Sequence, residues 1–140
     1  MRILLLGLLG IAASQPAAVD MPGTWVAEHR GTTFVRLELK SAGSSLTGAI
    51  GTGDVRVDDN GDVLEVTAFP ATLTPLYQVI VKGASMTFMR PEGTDAEHFR
   101  LTVLGADQAE LLFLPSEELL EELKEAGIAV PKAIRLHKIR

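Results

Sequence analysis

The side chains in this sequence best suited to acid–base work or metal binding near neutral pH are its three histidines, His29, His98 and His137. They fall on three separate segments. None is paired at the i, i+4 spacing of a helix, and none shows the short spacings by which two imidazoles share a metal ion. His98 alternates with Arg100 on what reads as a solvent face. The chain has no cysteine, which removes disulfides, thiolate metal centres, a sulfur nucleophile and a lipid-modified N-terminal cysteine. Asp58-Asp59-Asn60-Gly61 offers oxygens that could hold calcium. It lacks the further spaced acids and terminal glutamate of an EF-hand loop, and ordinary Asx and Asn-Gly turn chemistry accounts for it. Ser44, Ser45, Ser85 and Ser116 have no nucleophile-elbow context. Glu117, Glu121, Glu122 and Glu125 read as the wet face of a helix. No catalytic residue, metal ligand or cofactor is assigned, and the pattern points away from an enzyme.

The elements that would position any site are mostly strands. From Trp25 onward the hydrophobic pattern has period two. Val35, Leu37 and Leu39 alternate with Arg36, Glu38 and Lys40, the signature of a strand with one wet face. Ser41–Ser45 turns the chain and Leu46–Ile50 returns it. Val55 and Val57 mark a short strand, Asp58–Gly61 a tight turn, and Val63–Phe69 a return with Leu64, Val66 and Ala68 on one face. Pro70–Pro75 is irregular, and pairing is expected to lapse there because proline cannot donate to a ladder. Tyr77–Lys82 and Ser85–Arg90 form a hairpin about Gly83; the first of these is apolar on both sides, so its inward phase is open. His98–Leu104 and Ala109–Leu114 follow. Ser116 then caps a helix over about 116–126, with Leu119, Leu120 and Leu123 as its apolar stripe, Gly127 as its stop and Pro131 beyond it. The last strand is Ala133–Ile139. The short connections demand antiparallel pairing, so the expected architecture is an all-β barrel or sandwich with one helix before the last strand.

The chain is 140 residues with a formal net charge of −5, the size of one domain and without the basic balance a nucleic-acid partner requires. Residues 1–18 read as a secretory signal peptide: Met1-Arg2, an apolar run from Ile3 to Ala13, then small residues. The run is shorter than the roughly 20 residues of a membrane span. The expectation is an exported protein, periplasmic or extracellular, with residues 19–140 as one monomeric domain and no membrane span in it.

Two short pieces carry a family resemblance. Gly23-Thr24-Trp25 opens the first strand, and Ile134-Arg135-Leu136-His137-Lys138-Ile139 closes the last. Together they resemble the calycin superfamily, the lipocalin-like small barrels. The closing strand is similar to that of fatty-acid-binding proteins, and Leu37–Lys40 with Leu46-Thr47-Gly48 to small exported bacterial lipocalin-like domains. No helical pair separates the first two strands, unlike fatty-acid-binding proteins, and the helix precedes the last strand, unlike lipocalins. The resemblance implies an antiparallel up-and-down β-barrel in which Trp25 plugs one end and Arg135 packs over it as a latch. The alternative is a plain core tryptophan in an open sandwich.

Under this reading the inward faces of several hairpins converge on an apolar lining drawn from Leu37, Leu64, Val66, Met86, Phe88, Phe99 and Leu101. A barrel of about eight strands is filled by side chains or encloses one small ligand. The expected function is therefore non-catalytic binding of a small apolar or amphiphilic molecule. The alternative is a structural or protein-interaction module with a filled core.

Overall fold

The computed structural model describes residues 21–93 and 95–139; the segment read as a signal peptide lies outside them. The elements are β1 (Gly23–His29), β2 (Thr32–Ala42), β3 (Ser45–Thr52), β4 (Val55–Val57), β5 (Val63–Val66), β6 (Thr74–Pro75), β7 (Tyr77–Lys82), β8 (Ser85–Glu92), β9 (Asp95–Val103), β10 (Gln108–Leu114), α1 (Glu117–Ala126) and β11 (Ile134–Ile139). Nine strands form one antiparallel sheet in the order β6-β3-β2-β1-β11-β10-β9-β8-β7, while β4 and β5 form a separate two-stranded ribbon. The fold is an all-β, nearly closed antiparallel barrel with one helix before the last strand, compatible with a calycin-like architecture.

Closure comes from the stretch expected to interrupt pairing. Pro75 and Thr74 pair with Ala49 and Ile50 of β3, and the Leu76 amide donates to the Gly48 carbonyl at 2.9 Å. The same stretch then pairs with β8 from Tyr77 onward. One segment, Thr74–Lys82, thus borders both edges of the sheet. It changes partner between Leu76 and Tyr77, and Gln78, with a positive φ of 51°, lies in a register shift between Tyr77 and Ile80. Val79 is left half-buried against the core, with Ile80 exposed. Proline is tolerated because β6 is a two-residue edge.

The two ends of the barrel differ. At one, Trp25 is fully buried and its indole N–H donates to the Met21 carbonyl at 2.9 Å, meeting the need of a buried indole for an acceptor. Met21, Leu37, Met86, Leu101 and Leu136 are fully buried in the same core cluster. The cation over the Trp25 ring is Lys138, with Nζ 4.9 Å from the ring centre. The expected latch with Arg135 is therefore corrected. Trp25 lies opposite Lys138 in the β1–β11 register, and alternation along β11 puts Lys138 on the face of buried Leu136 and Arg135 on the other. Arg135 is exposed and pairs with Glu110 at 3.6 Å and Gln108 at 3.1 Å.

The far end is crossed by the β4–β5 ribbon and the segment 128–133. At the ribbon's base Gly53 donates to Phe34 at 2.8 Å, and Asp54 and Thr67 bond each other through backbone and hydroxyl at 2.8–3.0 Å. A Cβ on Gly53 would sit 1.9 Å from the Thr67 carbonyl oxygen, so only glycine permits this approach. At its tip Asp58 Oδ1 accepts from the Asn60 and Asp62 amides at 2.9 and 3.0 Å: the acidic tetrapeptide is a turn that uses this oxygen on its own backbone. The tip is tied to segment 128–133 by Lys132, through its amide to Gly61 at 3.0 Å and its ammonium to Asp62 at 3.1 Å. A register shift between Arg56 and Val57 resets the side-chain phase here. Val63 and Val66 pack against the core, and Leu64, expected inside, is 43% exposed.

Helix α1 forms as its signals dictate. The Ser116 hydroxyl accepts from the Leu119 amide at 3.2 Å, and Gly127 ends the helix in the left-handed region at φ 71°. None of its residues is buried, and Leu120 is 41% exposed. No described helix is long and apolar enough to cross a membrane.

Candidate functional site

Between the packed Trp25 end and the ribbon lies a cavity of about 370 Å³. The ends of seven strands contribute to it: Val35 from β2, Thr52 from β3, Val55 from β4, Arg90 from β8, Glu97 and Phe99 from β9, Leu111 and Phe113 from β10, and Ile134 from β11. Pro131 and the Gly53-Asp54 bend complete the wall. The aromatic side is ordered by cross-strand pairing. Phe88 and Phe99 stand opposite each other in register and stack at 5.3 Å with rings 17° apart, while Phe99 and Phe113 meet at 5.8 Å and 53°.

The polar side is one connected cluster. Arg90 is the one charged residue among those described that is buried, at 8% exposure. Arg90 and Glu97 face each other in the β8–β9 register, so their side chains share the inner face of the hairpin. Nε and Nη2 of Arg90 both donate to Glu97 Oε1, the first at 2.9 Å, and Nη1 donates to Thr52 Oγ1 at 2.8 Å. The guanidinium also lies 5.3 Å from the centre of the Phe99 ring, within reach of a cation–π contact. A buried cation is tolerated only when paired and hydrogen-bonded, and Arg90 is both. Asp54 stands exposed at the rim.

Of the lining expected from the sequence, Phe99 borders this cavity. Leu37, Met86, Phe88 and Leu101 are buried in the packed core, Val66 is half-buried against it, and Leu64 faces solvent. Arg90, Glu97, Thr52 and Phe113 were missed. Their signal was present: Arg90 continues the phase of Met86 and Phe88, and Glu97 that of Phe99 and Leu101.

Two other hollows flank the site. One of about 560 Å³ shares Glu97 and Phe113 with it and runs beneath the start of α1, past Asp95, Glu118 and Glu122. The other, about 230 Å³, lies beside His29 and Lys132. His29 Nε2 is buried there without a hydrogen-bond partner among the described residues. His137 Nε2 stands 3.9 Å from Glu28, and His98 is exposed. Among the described residues no three His, Asp or Glu side chains are grouped so as to hold a metal ion.

Comparison of the chain with protein-family models, with curated proteins and with solved structures returned no match. The calycin resemblance therefore rests on the short sequence pieces and on the barrel itself.

Proposed function

We propose that this protein is an exported, calycin-like binding protein that takes the apolar part of a small amphiphilic molecule into the cavity beneath the β4–β5 ribbon and performs no catalysis on it. The observation that carries this reading is the cavity's make-up. It offers about 370 Å³, at the lower end of the roughly 300–1,000 Å³ that small-molecule sites occupy. Apolar walls from Val35, Phe99, Leu111, Phe113 and Ile134 meet a single buried polar cluster, the pattern of a pocket that takes in a hydrocarbon part and fixes its orientation by a few polar groups. Ordinary interiors close such spaces by side-chain packing. Here the Trp25 half is packed and the ribbon half is not.

The test is binding of a neutral, environment-sensitive naphthylamine dye and its displacement by decanol. Saturable enhancement at one equivalent is expected, and Val55→Trp should abolish it by filling the rim while leaving the melting midpoint in place. Val55 is half-buried and lines the cavity, whereas a larger side chain at fully buried Leu37 would disturb the packed half of the fold. A dye that gains no emission at any protein concentration would contradict the reading.

The protein-interaction alternative draws on a different observation, the exposure of Leu120, Ile128 and Val130 on and just after α1. Concentration-dependent association lost on Leu120→Ser, with no dye binding, would favour it.

A further inference from the structure

We infer that the cavity selects a cationic amphiphile, an amine or quaternary ammonium on a short apolar body, over a carboxylate of the same length; this rests on the binding function proposed above. The charged residues that line the cavity are Arg90, Glu97 and Asp54. An arginine in an apolar cavity invites the assumption that it receives an anion. This one is already committed. Two of its nitrogens donate to Glu97, a third donates to Thr52, and its face lies against Phe99. An incoming carboxylate would have to draw the guanidinium from Glu97 and leave two carboxylates sharing one cation in a partly buried space. Like charges so placed disfavour ionisation of one of them, and separating a buried pair is costly.

Asp54 tips the remaining balance. Its backbone is fixed on both sides by Thr67, at 2.8 and 3.0 Å, so its carboxylate is held at the rim. It forms no salt bridge among the described residues. With Arg90 and Glu97 cancelling, the lining carries about one net negative charge. The adjoining hollow reinforces the sign: beyond the shared Glu97 it is bordered by Asp95, Glu118 and Glu122 and, among the described residues, by no lysine or arginine. A ligand whose apolar body lies along Phe99 and Phe113 presents its head either to Asp54 or to this acidic hollow, and both favour a positive charge.

The experiment is a displacement series at low ionic strength and below micellar concentrations. Decyltrimethylammonium, decylamine, decanol and decanoate compete for the full chain against the neutral naphthylamine dye. The cations should displace at least ten times more effectively than decanoate, with decanol between. Asp54→Asn should narrow the cation-to-anion ratio several-fold. Glu125→Gln, which changes net charge equally at an exposed α1 residue that lines neither the cavity nor the hollow, should leave the ratio as it is. Decanoate displacing as well as or better than the cations overturns the inference while leaving the binding function intact. So does a ratio that Glu125→Gln alters as much as Asp54→Asn, because net charge alone would then explain it. Failure of the dye and of every decyl compound to bind overturns both.

Discussion

Removing Arg90 tests the polar cluster as a structural unit. Arg90→Met keeps an apolar stem of similar length and deletes the charge, leaving the Glu97 carboxylate without the guanidinium that faces it. Breaking a buried pair from one side costs about 3–5 kcal/mol. The Glu97 side chain keeps 26% exposure, so water offsets part of this, and about 2–3 kcal/mol is the expected loss. Arg90→Met combined with Glu97→Leu removes both charges, and such replacements are often neutral or stabilising. The double variant should therefore recover to within about 1 kcal/mol of the parent. Urea unfolding followed by emission of Trp25 measures both, because Trp25 sits in the packed half of the barrel and reports global unfolding rather than local change at the cavity. A loss below about 0.5 kcal/mol for the single variant, or a double variant no more stable than the single, would show that Arg90 and Glu97 do not stabilise the fold as a pair.

Three further outcomes follow from the fold. Lys138→Ala should shift Trp25 emission and cost about 0.5–2 kcal/mol, whereas Arg135→Ala should leave the emission unchanged; the reverse pattern would restore the Arg135 latch. Leu123→Asp should cost less than about 1 kcal/mol in urea unfolding, since no residue of α1 is buried, and a loss near 3 kcal/mol would mean that the helix packs closely in solution. Gly53→Val should speed amide exchange at Thr67 and Phe69, because the ribbon base cannot hold a Cβ against the Thr67 carbonyl; unchanged exchange would show that the ribbon is held elsewhere.

The barrel was legible because its strands alternate, and alternation survives wherever register is continuous. Val35, Leu37 and Leu39 face inward as their spacing requires, and Ser116 and Gly127 bound the helix as their chemistry requires. The failures occur where register shifts. The irregularity at Arg56–Val57 turned Leu64 outward, and the one at Gln78 let a proline-containing stretch close the sheet. Neither signal is local to the residues concerned. The latch failed by phase, since Arg135 and Lys138 lie on opposite faces of one strand and only the β1–β11 register tells which meets Trp25. The cavity was least legible. Its apolar walls could be named by type, but where packing stops short depends on the sizes of side chains meeting from seven strands. Arg90 and Glu97 lie on the inward phase of their strands, but charged residues are rarely buried, so phase alone does not mark them as lining.

Two-dimensional NMR titration with decanol distinguishes a ribbon half of the barrel that admits a ligand from a Trp25 half that is closed. The prediction is saturation at one equivalent, with the largest shifts at Val35, Thr52, Phe99, Leu111 and Phe113, and an unmoved Trp25 indole N–H still bonded to Met21. No saturable shift, or shifts centred on the Trp25 end, would contradict it.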